Sequence, residues 1–303
     1  MPFSFSMNTN PLLQRLLASG PVLTDGAWGT QLQARGLAIG EFPDGWNLTH
    51  PEKVAEVARD YVDAGSQIIL TNTFGANRLR LAEAGLADRM AEINEAGVRL
   101  SREAAARHAC VFASIGPSGK MLLSGETTPE EIAAAFCEQA AALARGGADA
   151  LVVETMTDLE EAKLAIAAAK ATGLPVVASM VFDSGKAKDR TMMGTTPEQA
   201  AAALVAAGAD VVGANCGQGI AGFVKICARL KSAAAGRPVW IKANAGRPEL
   251  RGGKAHYATT PEQFASYVPA LLAAGANFVG GCCGTSPEFI RVLRRALDEA
   301  TTG

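Results

Sequence analysis

Three cysteines carry the most informative chemistry in this sequence. Cys216 follows an apolar run, and Cys282 and Cys283 stand side by side after a second apolar run. Each run is typical of a buried strand that ends in a glycine turn. If two strand ends bring the three thiols together, they can hold one zinc ion and leave its fourth coordination position open. Catalytic zinc sites keep such an open position, whereas structural zinc sites do not.

Glycines surround the Cys282–Cys283 pair. Adjacent side chains in a strand point to opposite faces, so a bend is needed to bring both thiols to one point. Three glycines supply the backbone freedom for that bend, namely Gly280, Gly281 and Gly284. The remaining cysteines are isolated in the sequence and are expected to pack as small apolar residues; they are Cys110, Cys137 and Cys227.

Eight short apolar or β-branched runs recur along the chain, with helical periodicity between them. Such alternation over 303 residues predicts a single-domain (β/α)8 TIM barrel spanning residues 1–303. The eight predicted strands are 21–24, 67–71, 110–115, 150–153, 175–180, 210–214, 238–243 and 277–279. A short N-terminal helix near 12–17 is expected to cover the bottom of the barrel. A doubly wound open sheet is the alternative, but no Gly-x-Gly-x-x-Gly follows the first strand.

A weak internal repeat supports the barrel. A glycine followed by a small and then a polar residue precedes four of the predicted strands, at Gly65, Gly147, Gly208 and Gly275. Glycine in this place is typical of a left-handed helix C-terminus. The repeated unit is therefore a helix followed by a strand. The segments 183–195 and 246–257 are polar and are predicted to be loops that act as lids or partner contacts.

Composition excludes several classes of function. The formal net charge is -2, so neither nucleic acid nor an anionic membrane is an expected partner. No apolar run is long enough to span a bilayer, and the first residues lack the pattern of a signal peptide. Six cysteines in 303 residues are too few for a disulfide scaffold. These features predict a cytoplasmic protein.

The ends of the predicted strands place several functional groups at one mouth, because a barrel of this type presents its chemistry at the C-terminal face. Two carboxylates, Asp25 and Glu154, converge there with the three thiols. Asp25 has the alternative of capping a helix that starts near Ala27. Glu154 ends an apolar strand, where a carboxylate is costly unless it is paired. Thr73 either orients a ligand or satisfies its own turn.

Taken together, these residues resemble the homocysteine S-methyltransferase family from about Leu23 to the last helix. The most specific motif is Gly280-Gly281-Cys282-Cys283-Gly284-Thr285; others are 25–30, 71–74, 154–155, 213–216 and 244–246. The resemblance implies a zinc enzyme that methylates the thiolate of homocysteine to give methionine. It also implies the roles of individual residues. Cys216, Cys282 and Cys283 would bind Zn²⁺, Asp25 and Glu154 would bind the homocysteine ammonium, backbone near Gly26 and Thr73 would bind its carboxylate, and Asn215 would belong to the substrate site.

The methyl donor is a separate question. Segments 114–119 and 154–160 look most similar to the homocysteine-binding module of cobalamin-dependent methionine synthase. That likeness implies a donor in the form of a methyl-corrinoid carried by a separate protein. Betaine and S-methylmethionine are the alternatives. Betaine-using relatives place a tyrosine after the barrel glutamate, where this chain has Thr155.

Two other classes of function compete with this interpretation. A Schiff-base aldolase would use Lys242, which lies within the seventh predicted strand. A barrel with structural zinc or a redox pair of thiols would bind a partner without catalysis. Neither explains why carboxylates should lie beside three thiols.

Overall fold

The computed structural model describes residues 10–251 and 254–302. Its strands, numbered in chain order, are β1 (Val22–Leu23), β2 (Ile68–Ile69), β3 (Cys110–Ile115), β4 (Ala150–Met156), β5 (Val176–Met180), β6 (Val211–Gly219), β7 (Val239–Asn244), β8 (Pro248–Arg251), β9 (Lys254–Tyr257) and β10 (Phe278–Gly281). Eight of them form one parallel sheet in the order β1-β10-β7-β6-β5-β4-β3-β2. β8 and β9 form a separate antiparallel hairpin.

The sheet closes on itself between its first and last strands. A parallel bridge joins Thr24, just after β1, to Ile68 in β2. The backbone N–H of Gln67 donates to the carbonyl of Leu23 at 2.9 Å in the same seam. These contacts make the sheet a barrel and confirm the predicted (β/α)8 TIM fold.

Helices surround the barrel. They are α1 (Pro11–Leu17), α2 (Gly29–Ala34), α3 (Trp46–Thr49), α4 (Pro51–Asp63), α5 (Arg78–Ala82), α6 (Met90–Ala105), α7 (Pro129–Gly146), α8 (Leu159–Lys170), α9 (Pro197–Ala206), α10 (Ile220–Ala233), α11 (Pro261–Ala265), α12 (Val268–Ala273) and α13 (Pro287–Thr302). Short 3-10 helices lie at Pro43–Gly45, Ala87–Arg89 and Leu122–Ser124. None of the helices in the described ranges is both long and apolar enough to cross a bilayer.

Local sequence explains where these helices begin and end. Thr128, Thr196 and Thr260 each form a capping box ahead of a proline, which satisfies backbone donors at the helix start. The repeat glycines Gly65, Gly147, Gly208 and Gly275 all have φ between 94° and 100°. This left-handed conformation favours glycine and turns the chain from helix into strand, as the repeat predicted.

The bottom of the barrel is sealed by apolar side chains. Leu13 and Leu17 of α1 pack in one buried cluster with residues from the lower ends of the strands, including Trp240, Phe112 and Phe278. The predicted N-terminal helix is therefore confirmed, with Pro11 as its first residue. Because this end is closed, the cavity that remains opens at the C-terminal mouth.

Several predicted boundaries were wrong. β1 and β2 are shorter than predicted, whereas β4 continues to Met156 and β6 to Gly219. Both extensions pass through register shifts, after Val153 in β4 and after Asn215 in β6. The predicted loop 246–257 contains the β8–β9 hairpin. Alternation of apolar and polar residues does not reveal a strand that continues through a bulge, because the extra residue breaks the period.

Candidate active site

Three thiols meet at the C-terminal mouth. The Sγ atoms of Cys216, Cys282 and Cys283 all lie within 4.8 Å of one another. The Sγ atoms of Cys216 and Cys283 are 3.9 Å apart. Cys216 lies in the part of β6 beyond its predicted end at residue 214, whereas Cys282 and Cys283 follow the last residue of β10. The two chain segments that sequence alone paired by topology are thus in direct contact.

The backbone at Cys216 is unusual. Its φ is 60°, in the left-handed region where a side chain other than glycine costs about 1 kcal/mol or more. The residue sits at the start of the register shift in β6. The bulge turns the thiol away from the regular strand alternation and towards the other two cysteines.

The glycines beside Cys282 and Cys283 act mainly through close packing. A Cβ on Gly280 would lie 1.9 Å from Oγ1 of Thr24, and one on Gly281 would lie 2.2 Å from Oγ1 of Thr285. Gly284 supplies the turn, with φ at 81°. The strand ends at Gly281, and both thiols lie at the break between strand and turn, as the sequence predicted.

The thiol turn is attached to the first strand end. The carbonyl of Cys282 accepts from the hydroxyl of Thr285 at 2.6 Å, and the carbonyl of Thr285 accepts from the backbone N–H of Ala27 at 3.1 Å. A Cβ on Gly26 would lie 2.8 Å from the hydroxyl oxygen of Tyr61. Gly26 therefore has no room for a side chain, and its segment packs directly against the thiol turn.

The thiol cluster fits a zinc ion. With Zn–S bonds of about 2.3 Å, tetrahedral geometry separates two sulfur ligands by about 3.8 Å, close to the distance between Cys216 and Cys283. Thiolates are also ligands that zinc favours. Hydrogen bonds from Cys282 and then Cys283 lower the pKa of Cys216 to about 3. The hydrogen bond to Cys216 in turn raises the pKa of Cys283 to about 12 and that of Cys282 well above its usual value. Within the cluster, hydrogen bonds from two cysteines thus favour the thiolate form of the third.

A cavity of about 440 Å³ opens above these thiols, which is ample for a small amino acid. All three cysteines line it, together with Glu154, Lys242 and Ser114 near the floor. Towards the outside, the lining includes Trp28, Glu41, Phe42, Asp44, Phe74 and Arg80. The cavity thus joins a sulfur-rich floor to an aromatic and charged outer part.

Asp25 is fully buried and already has a set of protein partners. Its Oδ1 forms an ion pair with the ammonium of Lys242. Its Oδ2 accepts from the indole N–H of Trp28 at 2.8 Å and from the backbone N–H of Leu70 at 2.7 Å. The alternative of a helix cap is wrong, because α2 begins only at Gly29 and no side chain accepts a capping hydrogen bond from its first turn. The predicted contact between Asp25 and a substrate ammonium stays a prediction.

Glu154 has more capacity left. It is 7% exposed, and its Oε1 accepts from the hydroxyl of Ser114 at 2.5 Å. Burial raises the pKa of Glu154, while the charge of Lys242 and the hydrogen bond from Ser114 act in the opposite direction. Within the described residues, Oε2 forms no hydrogen bond, and the side chain borders the cavity. Glu154 can therefore accept a hydrogen bond from a ligand.

Asn215 and Thr73 lie behind the cavity lining. Asn215 is buried, and its amide contacts Thr155, the hydroxyl of Ser179 at 2.7 Å and, more distantly, Sγ of Cys282 at 3.9 Å. Oγ1 of Thr73 donates to the carbonyl of Ser114 at 2.8 Å. Both side chains hold neighbouring strand ends, and their predicted contact with a substrate stays a prediction.

Two residues near the thiols escaped the prediction of the site. Lys242 was considered only as a nucleophile, although a charged residue inside an apolar strand needs a buried partner, and Asp25 is that partner. Tyr257, in the unpredicted hairpin, lies over the thiol turn; a Cβ on Gly284 would be 2.3 Å from its ring. Burial, followed by the charges of the cysteines, raises the pKa of Tyr257 to about 12. Of the other cysteines, Cys227 is buried as expected but Cys137 is exposed, so the packing role predicted for Cys137 was wrong.

Comparison with known families decides what this arrangement is. The family profile described as homocysteine S-methyltransferase matches residues 22–297, which is nearly the whole barrel. This chain belongs to the homocysteine S-methyltransferase family. Membership confirms the resemblance seen in the sequence. It also leaves the aldolase alternative for Lys242 without support.

Individual relatives differ in length. Methionine synthase from Mycobacterium tuberculosis is 32% identical over 301 residues, covering 93% of this chain but 25% of that protein. The chain thus spans about a quarter of the length of the methionine synthases it matches. Betaine–homocysteine S-methyltransferase 1 from Danio rerio is 30% identical and covers 94% of this chain and 75% of that protein.

Among solved structures, the homocysteine methyltransferase MmuM from Escherichia coli, in its metallated form, is similar to this member of the family. The TM-score is 0.79 at 26% identity, covering 94% of this chain and 99% of MmuM. The likeness extends over the whole barrel.

Proposed function

We propose that this chain is a zinc-dependent methyltransferase that methylates the thiol of homocysteine to give methionine. The observation that carries the proposal is the thiol cluster on the floor of a cavity that Glu154 and Lys242 also line. A structural zinc site would be closed by a fourth protein ligand, and no fourth cysteine or histidine joins the cluster in the described residues.

Cys216, Cys282 and Cys283 would hold the metal. Zinc bound to three thiolates would lower the pKa of an incoming thiol and keep its sulfur nucleophilic. The sulfur of homocysteine then forms the new S–CH3 bond while the bond between methyl and donor breaks, and the donor keeps the electron pair. The protein contributes orientation, because a fixed geometry replaces an encounter between free reactants.

Glu154 is the group that we assign to the homocysteine ammonium. Its side chain borders the cavity, and in the described residues its Oε2 forms no hydrogen bond, so a charge-assisted hydrogen bond there would offset its burial. Asp25, whose charge is paired with that of Lys242, would lie below this group, and backbone groups near Gly26 and Thr73 would contact the carboxylate. Asn215 would fix the positions of Glu154 and Cys216 relative to each other.

A protein-bound methyl-corrinoid is our first choice of donor. All six large apolar side chains that are exposed in the described ranges lie in segments following β1, β2, β3 or β5, on the mouth side of the barrel; they are Ile39, Phe74, Met121, Leu123, Met192 and Met193. Exposed apolar side chains on this side of the barrel would suit contact with a separate donor protein. The likeness to methionine synthases supports the same donor.

A small cationic donor, betaine or S-methylmethionine, is the second candidate. The outer cavity combines the aromatic rings of Trp28, Phe42 and Phe74 with the carboxylates of Glu41 and Asp44. Aromatic faces and carboxylates attract quaternary ammonium or sulfonium groups. Thr155 in place of a tyrosine weakens the case for betaine.

One experiment tests the function and the donor together. Zinc-loaded protein is incubated with homocysteine and, in turn, methylcobalamin, betaine, S-methylmethionine or methylfolate, and methionine is quantified. Methionine from one donor supports the proposal and identifies the donor class. If none of the donors gives methionine, and zinc-loaded protein does not bind homocysteine, the proposal is wrong.

A further inference from the structure

Lys242 occupies a central place on the cavity floor. It lies on β7, paired in register with Asn215 of β6 and Gly280 of β10. These neighbours directly precede the segments that carry the three thiols. Lys242 is 2% exposed, yet it lines the cavity. A buried cation in this position would face any amino acid whose thiol reaches the cluster.

Hydrogen bonding leaves Lys242 free to bind a ligand. An ammonium group has three N–H donors, and in the described residues Lys242 forms one hydrogen bond, to Oδ1 of Asp25. Both oxygens of Asp25 have donors, since Trp28 and Leu70 contact Oδ2. Asp25 therefore anchors the ammonium, while two N–H groups remain for a ligand oxygen. A buried ammonium with unused donors gains from such a partner.

The charges on the floor match a zwitterion. Asp25 and Lys242 neutralise each other, and Glu154 adds one carboxylate that is close enough to Lys242 to influence it electrostatically. The cavity thus offers a cation and a separate anion beside the thiol cluster. An amino acid presents the complementary pair, a carboxylate and an ammonium on one carbon.

We propose that Lys242 binds the α-carboxylate of homocysteine and, opposite Glu154, selects for a zwitterionic thiol. Asp25 is then a positioning residue that holds Lys242 in place rather than a direct ligand of the ammonium. This inference rests on the proposed function, because it names the residue that binds the carboxylate of the same substrate. The backbone groups near Gly26 and Thr73 become auxiliary contacts of the carboxylate.

The test compares two ligands that differ in the carboxylate alone. Homocysteine and its decarboxylated analogue homocysteamine are titrated calorimetrically into zinc-loaded protein, with no methyl donor. Lys242→Met should weaken homocysteine binding about tenfold to a hundredfold, the value of a charge-assisted hydrogen bond, and leave homocysteamine within about twofold. Lys242→Arg should restore part of the difference. Lys225→Met, at a lysine that is 69% exposed, is the matched control and should change neither affinity.

A double variant avoids leaving the Asp25 carboxylate buried without its cation. Lys242→Met alone leaves Asp25 buried without its cation, which destabilises the fold and could create a new site for an ammonium. Asp25→Asn with Lys242→Met removes both charges. The inference expects loss of affinity for homocysteine only. Equal loss for both ligands, or no loss for either, would overturn it.

A measurement on the wild-type protein, assigned with the charge-conserving Lys242→Arg, covers the case in which the methionine variants do not fold. In lysine-selective nitrogen NMR, the ammonium signal that is absent from Lys242→Arg should shift when homocysteine is added and stay in place with homocysteamine. A signal that responds equally to both ligands, or to neither, contradicts the inference. Binding of homocysteine by the wild-type protein is measured in the same experiments, so a failure of the proposed function is recognised separately.

Discussion

The side-chain amide of Asn215 forms two hydrogen bonds with Thr155. Its Oδ1 accepts from the backbone N–H of Thr155 at 2.9 Å, and its Nδ2 donates to Oγ1 of Thr155 at 2.7 Å. Asn215 directly precedes Cys216, and Thr155 directly follows Glu154. A single amide therefore connects the bulge that turns a thiol into the cavity with the bulge that carries the carboxylate.

Replacing Asn215 by alanine should disturb both bulges. We expect Asn215→Ala to lower the free energy of unfolding by about 1–3 kcal/mol, because the half-buried Thr155 N–H loses its acceptor. It should also weaken homocysteine binding in calorimetry. Asn94→Ala is the control, since Asn94 is a buried amide that contacts the backbone of α6 and a nearby loop. If both variants lose stability and neither loses homocysteine affinity, Asn215 has no positioning role.

Homocysteine binding should weaken in acid at a higher pH than an ordinary glutamate would cause. Burial raises the pKa of Glu154 above 4.5, so the carboxylate gains a proton, and loses its attraction for ammonium, as the pH falls through that raised value. The ratio of affinities for homocysteine and its deaminated analogue mercaptobutanoate isolates this effect, because both ligands carry the thiol. The ratio should fall with pH in wild type and stay flat in Glu154→Gln, which should retain zinc. A flat ratio in the wild type would remove Glu154 from the ammonium site.

Asp44 should make the fold less stable at neutral pH than in acid. Burial raises its pKa from 3.8 to about 6, so the folded state favours the protonated acid. The stability associated with that proton is present at low pH and is lost as the pH rises through about 6. Asp44→Asn should therefore stabilise the protein at pH above 7 by up to about 3 kcal/mol, and by less as the pH falls towards 4.

Denaturant unfolding at a series of pH values checks the prediction for Asp44. Asp63→Asn serves as a control, because Asp63 is exposed on α4. A gain for Asp44→Asn that is the same at every pH would show that the change acts through packing and not through ionisation.

Much of the fold could be predicted because its signals are local. Threonine before proline predicted helix starts, and the glycines at 65, 147, 208 and 275 predicted the helix-to-strand turns. Both follow from backbone geometry that these residues favour. Strand order then brought Glu154 and the cysteines to one mouth. The resemblance to a family added the role of each of these residues.

The rest depended on contacts between distant segments. The partner of Asp25 is Lys242, 217 positions away. The residues near Asp25 in the sequence therefore do not indicate that it pairs with a buried cation. Tyr257 reaches the thiol turn on a short hairpin inside a polar segment, where β-propensity is weak. The left-handed conformations of Cys216 and Thr155 are imposed by the surrounding barrel and not by residue type.

Metal analysis of cysteine variants tests the central claim most directly. Purified wild-type protein should contain about one zinc ion per chain, as a three-thiolate site implies. Cys216→Ser, Cys282→Ser and Cys283→Ser should each lose the metal, whereas Cys137→Ser, at an exposed helical cysteine, should retain it. If all three cluster variants kept the zinc content of the wild type, the cluster would not be the metal site and the account would be contradicted.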